Sequence, residues 1–188
     1  MFPLGDLFIA GLLPLLGNTF QSRPLVLSNV DLKYDKSSGS KIRVGLSWRT
    51  SAKFGALKRS ISLKALLEHL DPDLHTLVFL QYLPQPEDEE LASKLGFDFE
   101  KSGQAYENIH EVAQWILKCE RVITIDNYIV HLSGALGAKT LVLLPFSCSY
   151  RWALDGDISP LYKNVRLKRQ TKINDWAGAL EDLLHSDS

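Results

Sequence analysis

Four short runs, Ile42–Trp48 (IRVGLSW), Thr76–Leu80 (TLVFL), Arg121–Ile125 (RVITI) and Thr140–Leu144 (TLVLL), are apolar and β-branched almost without interruption. A strand with one wet face alternates apolar and polar side chains. Runs this continuous belong to strands buried on both faces. The segments between them carry helical spacing. Ser62 can cap a helix to about Leu70 with Leu63, Leu66, Leu67 and Leu70 on one face. Glu87–Leu95 reads as an acidic helix closed by Gly96, and Ile109–Lys118 as an amphipathic helix with Val112, Trp115 and Ile116 together. A small-residue helix follows Asp126 and stops at Gly137. Asp175 can cap a last helix bearing Trp176, Leu180, Leu183 and Leu184. Phe97–Phe99 and Val165–Leu167 read as further short strands, residues 49–60 and 81–86 as loops. Doubly buried strands alternating with helices predict an α/β domain with a doubly wound parallel sheet. Val44, Val78, Ile123 and Val142 should lie on neighbouring strands.

The chain has 188 residues, enough for one domain with a real core. That domain is expected over 41–188. Residues 1–40 read as an N-terminal segment ending in a polar, turn-rich stretch with Ser-Ser-Gly-Ser at 37–40. Leu7–Leu16 (LFIAGLLPLL) has the length of a signal-peptide core. No Lys or Arg precedes it, Asp6 sits at its edge, and no A-x-A site follows. It is also shorter than the about 20 apolar residues that span a bilayer. It reads as a buried helix or loop, or as the tail of a larger fold. The formal net charge of −1 makes the chain a poor candidate for general nucleic-acid binding, so an anionic ligand would need a local site. Two cysteines, Cys119 and Cys148, make no disulfide framework and lack metal-ligand spacing. A reducing compartment, the cytoplasm, is the expected location.

In doubly wound sheets, ligands bind beyond the carboxyl ends of the strands. Four loops qualify, after Leu46, Leu80, Ile125 and Leu144. Asp126, at a strand-to-helix junction, reads equally as a plain helix cap or as part of a helix N-terminus that receives a phosphate. His131, five residues on, reads either as a packing residue or as a ligand group. The loop after Leu46 holds Ser47, Trp48, Arg49, Lys53, Lys58 and Arg59. Its basic side chains either neutralise a diphosphate or are simply solvated. Neither a Walker loop nor G-x-G-x-x-G, H-E-x-x-H, C-x-x-C or G-x-S-x-G occurs. P-loop, dinucleotide-dehydrogenase, metallohydrolase and serine-esterase chemistry therefore lack support.

An ordered set of motifs carries a resemblance. It runs Gly45-Leu46-Ser47-Trp48, Arg59-Ser60-Ile61 and Phe79-Leu80-Gln81, then Val122 to Asp126 and His131 to Gly137. It continues through Val142 to Phe146, Tyr150-Arg151-Trp152, Ser159 to Tyr162, Val165-Arg166-Leu167, Arg169-Gln170 and Asp175-Trp176. From residue 42 onward the chain resembles the C-terminal glycosyltransferase domain that follows tetratricopeptide repeats in many bacterial proteins. That domain is similar to lipopolysaccharide heptosyltransferases (glycosyltransferase family nine) and, more distantly, to the O-GlcNAc transferase catalytic region. The resemblance implies a Rossmann-like domain, the C-terminal half of a GT-B fold, which holds a nucleoside-diphosphate sugar. Residues 1–40 would then be the tail of an N-terminal half.

It further implies a metal-independent, inverting transfer without a cofactor, with the general base outside this chain. The acceptor would be a glycan, a lipopolysaccharide or a protein, and the missing half a further domain or a partner subunit. Asp126 with the amides of Asn127 and Tyr128 would line the diphosphate or ribose, and His131 would face the same cleft. Ser47 and Trp48 would sit opposite, Lys53 and Arg59 would meet phosphates, and Gln81 would lie near the base. The family commonly has Asp-Thr-Ala or Asp-Thr-Gly where this chain has Asp126-Asn127-Tyr128. The alternative reading is a non-catalytic nucleotide-binding or degenerate module of the same fold.

Overall fold

The computed structural model describes residues 41–50, 56–102, 108–181 and 183. The expectations for residues 1–40, Lys53 and Leu184 lie outside them. Six strands, β1 (Ile42–Ser47), β2 (His75–Phe79), β3 (Asp98–Lys101), β4 (Arg121–Ile125), β5 (Thr140–Leu144) and β6 (Val165–Arg169), form one sheet in the order β3-β2-β1-β4-β5-β6. Every pairing is parallel. Val44, Val78, Ile123 and Val142 do lie on neighbouring strands, and this is the doubly wound, Rossmann-like arrangement.

Parity along the strands builds the two layers. Val44, Leu46, Leu77, Phe79, Ile123, Ile125, Leu141 and Leu143 face one way, where α2 (Leu63–Leu67) and α6 (Ala177–Leu180) cover them. Val78, Leu80 and Val122 face the other way, under α4 (Ile109–Leu117) and α5 (Tyr128–Ala135). Val142 and Leu144 join them on that side, packed with Val130 of α5 and Trp152. Each central strand thus buries both its odd and its even side chains, the physical reason for the continuous apolar runs. Gly45 is required by close approach: a Cβ there would lie 2.7 Å from Leu80 and 3.0 Å from the Cys119 sulfur. Gly134 of α5 is required likewise, since its Cβ would fall 2.5 Å from the Tyr162 ring.

Element ends follow local chemistry. The Ser62 hydroxyl accepts from Ala65 N at 3.2 Å and caps α2. Helix α3 (Pro86–Lys94) starts with proline in its first turn, and Gly96 at φ 81° turns the chain after it. Gly137, at φ 77°, does the same after α5. Asp175 accepts from Ala177 N at 3.0 Å, so the expected capping residue stands two residues before a helix that begins at Ala177, one before its N-cap Trp176.

Two readings are corrected. Within the expected 49–60 loop, Ala56–Arg59 form a single helical turn, α1; all four are good helix formers. Strand β3 occupies Asp98–Lys101 instead of Phe97–Phe99. It is an edge strand, and its charges, Asp98 paired with Lys41 and Glu100 with Arg43, guard that edge and break the apolar pattern.

Candidate functional site

Strand order reverses between β1 and β4, so the connections leaving their carboxyl ends diverge and open a crevice there. Ser47 ends β1, and Asn127 follows β4. The Asn127 Nδ2 donates to Ser47 Oγ at 2.9 Å and ties the two strand ends together. Its Oδ1 accepts from Ile129 N at 2.9 Å and from Thr124 Oγ1 at 3.2 Å. Asn127 is therefore the N-cap of α5, and Asp126 stands one residue before it.

Beside this tie lies a cavity of about 820 Å³ lined by Ser47, Arg49, Thr50, Gln81, Tyr82, Leu83, Gln85, Ile109, Val112, Asn127 and Tyr128. Small-molecule sites typically enclose roughly 300–1,000 Å³. The polar part of the wall is self-satisfied. Gln81 is buried; its Oε1 accepts from Trp48 N and Arg49 N at 2.9 and 2.8 Å. Its Nε2 donates to Arg49 O and Tyr82 O. Arg49 makes a two-pronged pair with Asp88 at 3.0 and 2.7 Å, and Asp88 also accepts from Gln85 N at 2.8 Å. The rim is apolar and aromatic: Tyr82, Leu83, Ile109 and Tyr128 are each 41 to 47% exposed. Burial, and then the neighbouring Tyr82, push the Tyr128 hydroxyl above its ordinary pKa.

Around Asp126, the neighbour of Asn127 in the chain, is a second cluster of different character. Asp126 is buried, with Arg59 Nη1 at 3.8 Å and Arg151 Nη2 at 3.9 Å from its carboxylate oxygens. Both distances exceed hydrogen-bond length. Arg59 also donates to the Asp126 carbonyl at 3.4 Å. Arg151 sits on a 3-10 turn, Tyr150–Trp152, that follows β5. The His131 ring stacks on Trp152 with centroids 5.5 Å apart, and its Nδ1 lies 3.2 Å from the Tyr162 hydroxyl. Burial, and then Arg151, hold the His131 pKa below its ordinary value against the opposing pull of Asp126. Burial raises the Tyr162 hydroxyl, with Arg151 opposing. His131 is thus a neutral ring at neutral pH.

Of the expected residues, Ser47, Gln81, Asn127 and Tyr128 line the cavity. Arg59, Asp126 and His131 gather in the second cluster. Trp48 does not line the cavity: its side chain is fully buried, edge-on to Phe79 at 5.1 Å. The signal for that was present, since Trp48 shares parity with Val44 and Leu46. Arg49, one of the basic residues of the loop after Leu46, lines the cavity, and Tyr82 and Arg151, which sequence reasoning does not single out as ligand residues, complete the two regions. The partners of Arg49 and Arg151 are 39 and 25 residues away in sequence, beyond any local pattern.

Among the described residues no group of three or more His, Cys, Asp or Glu side chains is placed to hold a metal ion. No helix among them is long and apolar enough to cross a membrane. Fold and crevice together define a Rossmann-like α/β protein with its candidate site at the switch point of the sheet. No family model, curated protein or solved structure matches the chain.

Proposed function

We propose that this chain is the donor-binding half of a metal-independent, inverting GT-B glycosyltransferase of the kind linked to tetratricopeptide repeats. One observation carries the reading: an aromatic-rimmed cavity lined by Asn127, and two arginines around its chain neighbour Asp126, both lie at the carboxyl end of β4, at the switch point. A nucleoside diphosphate has the same two-part chemistry, a flat base and a charged tail. The base and ribose occupy the cavity between Tyr82 and Tyr128, and the diphosphate runs over Asn127 toward Arg59 and Arg151. These cations stabilise the nucleoside diphosphate as it departs, and the acceptor displaces it directly at the anomeric carbon. The general base and the acceptor site belong to another domain or subunit, and the chain works in the cytoplasm.

A second reading, a non-catalytic nucleotide-binding or degenerate module, is favoured by one feature. The Asn127 side chain already takes the Ile129 N–H at the start of α5, a donor that a phosphate would otherwise use.

Calorimetric titration with a panel of nucleoside diphosphates, beside a transfer assay with nucleotide sugars, separates the readings. The donor-half reading expects binding on the order of −4 to −6 kcal/mol and no transfer, because one wall of the cleft cannot set up a near-attack geometry. Robust transfer by this chain alone would overturn the half-enzyme reading, and no binding to any diphosphate would favour the degenerate module.

A further inference from the structure

We infer that Leu83 is a ligand-contact residue of the cavity, held in a costly backbone conformation so that it meets the apolar face of a flat, uncharged ring. That the ring is a nucleobase rests on the nucleotide reading above; the contact itself stands on the geometry of residues 82–85.

Among the described residues, three that are not glycine have a positive φ: Leu83 at 48°, Ala153 at 59° and Asn174 at 61°. Asparagine enters this left-handed region readily. Ala153 ends the 3-10 turn Tyr150–Trp152, and helical turns commonly close on a left-handed residue. Neither reason applies to Leu83. It ends no helix, and it precedes Pro84, whose ring pushes the residue before it toward extended backbone. Burial does not offset the cost, since Leu83 is 46% exposed and belongs to none of the buried clusters. Its carbonyl accepts from Gln85 Nε2 at 3.1 Å, a bond that glycine would keep.

The conformation is imposed from both ends. Gln81 Nε2 donates to Tyr82 O at 3.0 Å on one side. On the other, Asp88 of α3 accepts from Gln85 N at 2.8 Å. A sparsely populated conformation persists when its surroundings over-determine it, and such residues gather at ligand sites. Here the result is placement: Leu83 stands in the cavity wall with Tyr82, Ile109 and Tyr128. The main polar side chains of that wall are already engaged within the protein. Gln81 bonds to backbone, Arg49 to Asp88, and Asn127 to Ser47 and the start of α5. The surface left for a ligand is largely apolar and aromatic, which suits the face of a ring. A leucine kept where glycine would be easier adds to that surface and to nothing else in the fold.

The wild-type chain, Leu83→Gly and Leu83→Ala are each unfolded in urea and titrated with the common nucleosides and with indole, a flat ring that has neither ribose nor phosphate. Leu83→Gly relieves the backbone and removes the contact. Its urea midpoint should be at or above that of wild type, while its affinity for the rings falls about fivefold. Leu83→Ala removes the contact without relieving the backbone. It should lose affinity by a similar factor with no rise in midpoint. A lower midpoint in Leu83→Gly overturns the inference, because the leucine then serves the fold. Rings bound equally by all three chains, or by none of them, overturn it as well. Indole bound in a Leu83-dependent way, with every nucleoside rejected, supports the contact and overturns the nucleotide reading.

Discussion

The two sides of Asn127 are built on opposite principles. On the β1–β2 side, Gln81 makes four hydrogen bonds to the backbone at 48, 49 and 82, and Arg49 is matched oxygen for nitrogen by Asp88. On the β4–β5 side, Asp126 holds two arginines at arm's length, beside a stack of His131 on Trp152. A wall whose polar groups satisfy one another keeps its shape and offers a ligand mainly surface. A cluster of two cations around one buried carboxylate offers charge. The same short stretch of sheet edge thus supplies shape on one side and valence on the other.

The largest test of this contrast is Gln81→Leu. It strips partners from three buried or half-buried backbone groups, and each unsatisfied group costs about 1–3 kcal/mol. We expect a loss of about 3 kcal/mol in urea denaturation. A loss under 1 kcal/mol would show that the β1–β2 wall is not held by this side chain.

Asn127→Ala probes the seam itself. It removes the α5 cap and the tie to Ser47. The expected cost is about 1–2 kcal/mol, cap and tether together. The matching Asp126→Ala should show no cap loss, because Asp126 lies outside the capping position. Equal losses in the two variants, with the same change in α5 amide exchange, would reverse that assignment.

The smallest effect is in pH. Arg151, Asp126, Tyr162 and Trp152 surround His131, whose folded pKa is lowered from 6.5. The unfolded chain therefore takes up the proton first as the pH drops. This contribution is complete above about pH 6.5 and is lost as the pH falls toward the lower folded value, below which it no longer changes. Urea midpoints of wild type and His131→Gln between pH 7.5 and 5.5 should diverge in slope, wild type being the steeper. Parallel slopes would remove the neutral-histidine account.

What was legible beforehand follows the same division. Strands β4 and β5 were bounded to the residue, because both their faces are dry and the apolar run starts and stops with the strand. Edge strand β3 was displaced, because one side of it meets solvent and its sequence is charged. At the site, Ser47, Asn127 and Tyr128 were reachable from the rule that loops at strand carboxyl ends bind ligands. Trp48 obeys that rule in its backbone and breaks it in its side chain, which follows strand parity into the core. Pairings such as Arg49 with Asp88 or Arg151 with Asp126 form only when separate β–α units are laid side by side. A single segment of sequence holds no trace of them.

The close approach of Cys119 to Gly45 makes the seam between β1 and the end of α4 a trap for a proton. The thiol donates to Trp115 O at 3.2 Å, and burial pushes its pKa up to about 12. At neutral pH the reactive thiolate is then on the order of one molecule in 100,000. Part of the Cys119 side chain stays exposed, so a reagent reaches it without α4 leaving the sheet, and slow alkylation there reports the scarcity of thiolate rather than the opening of the layer.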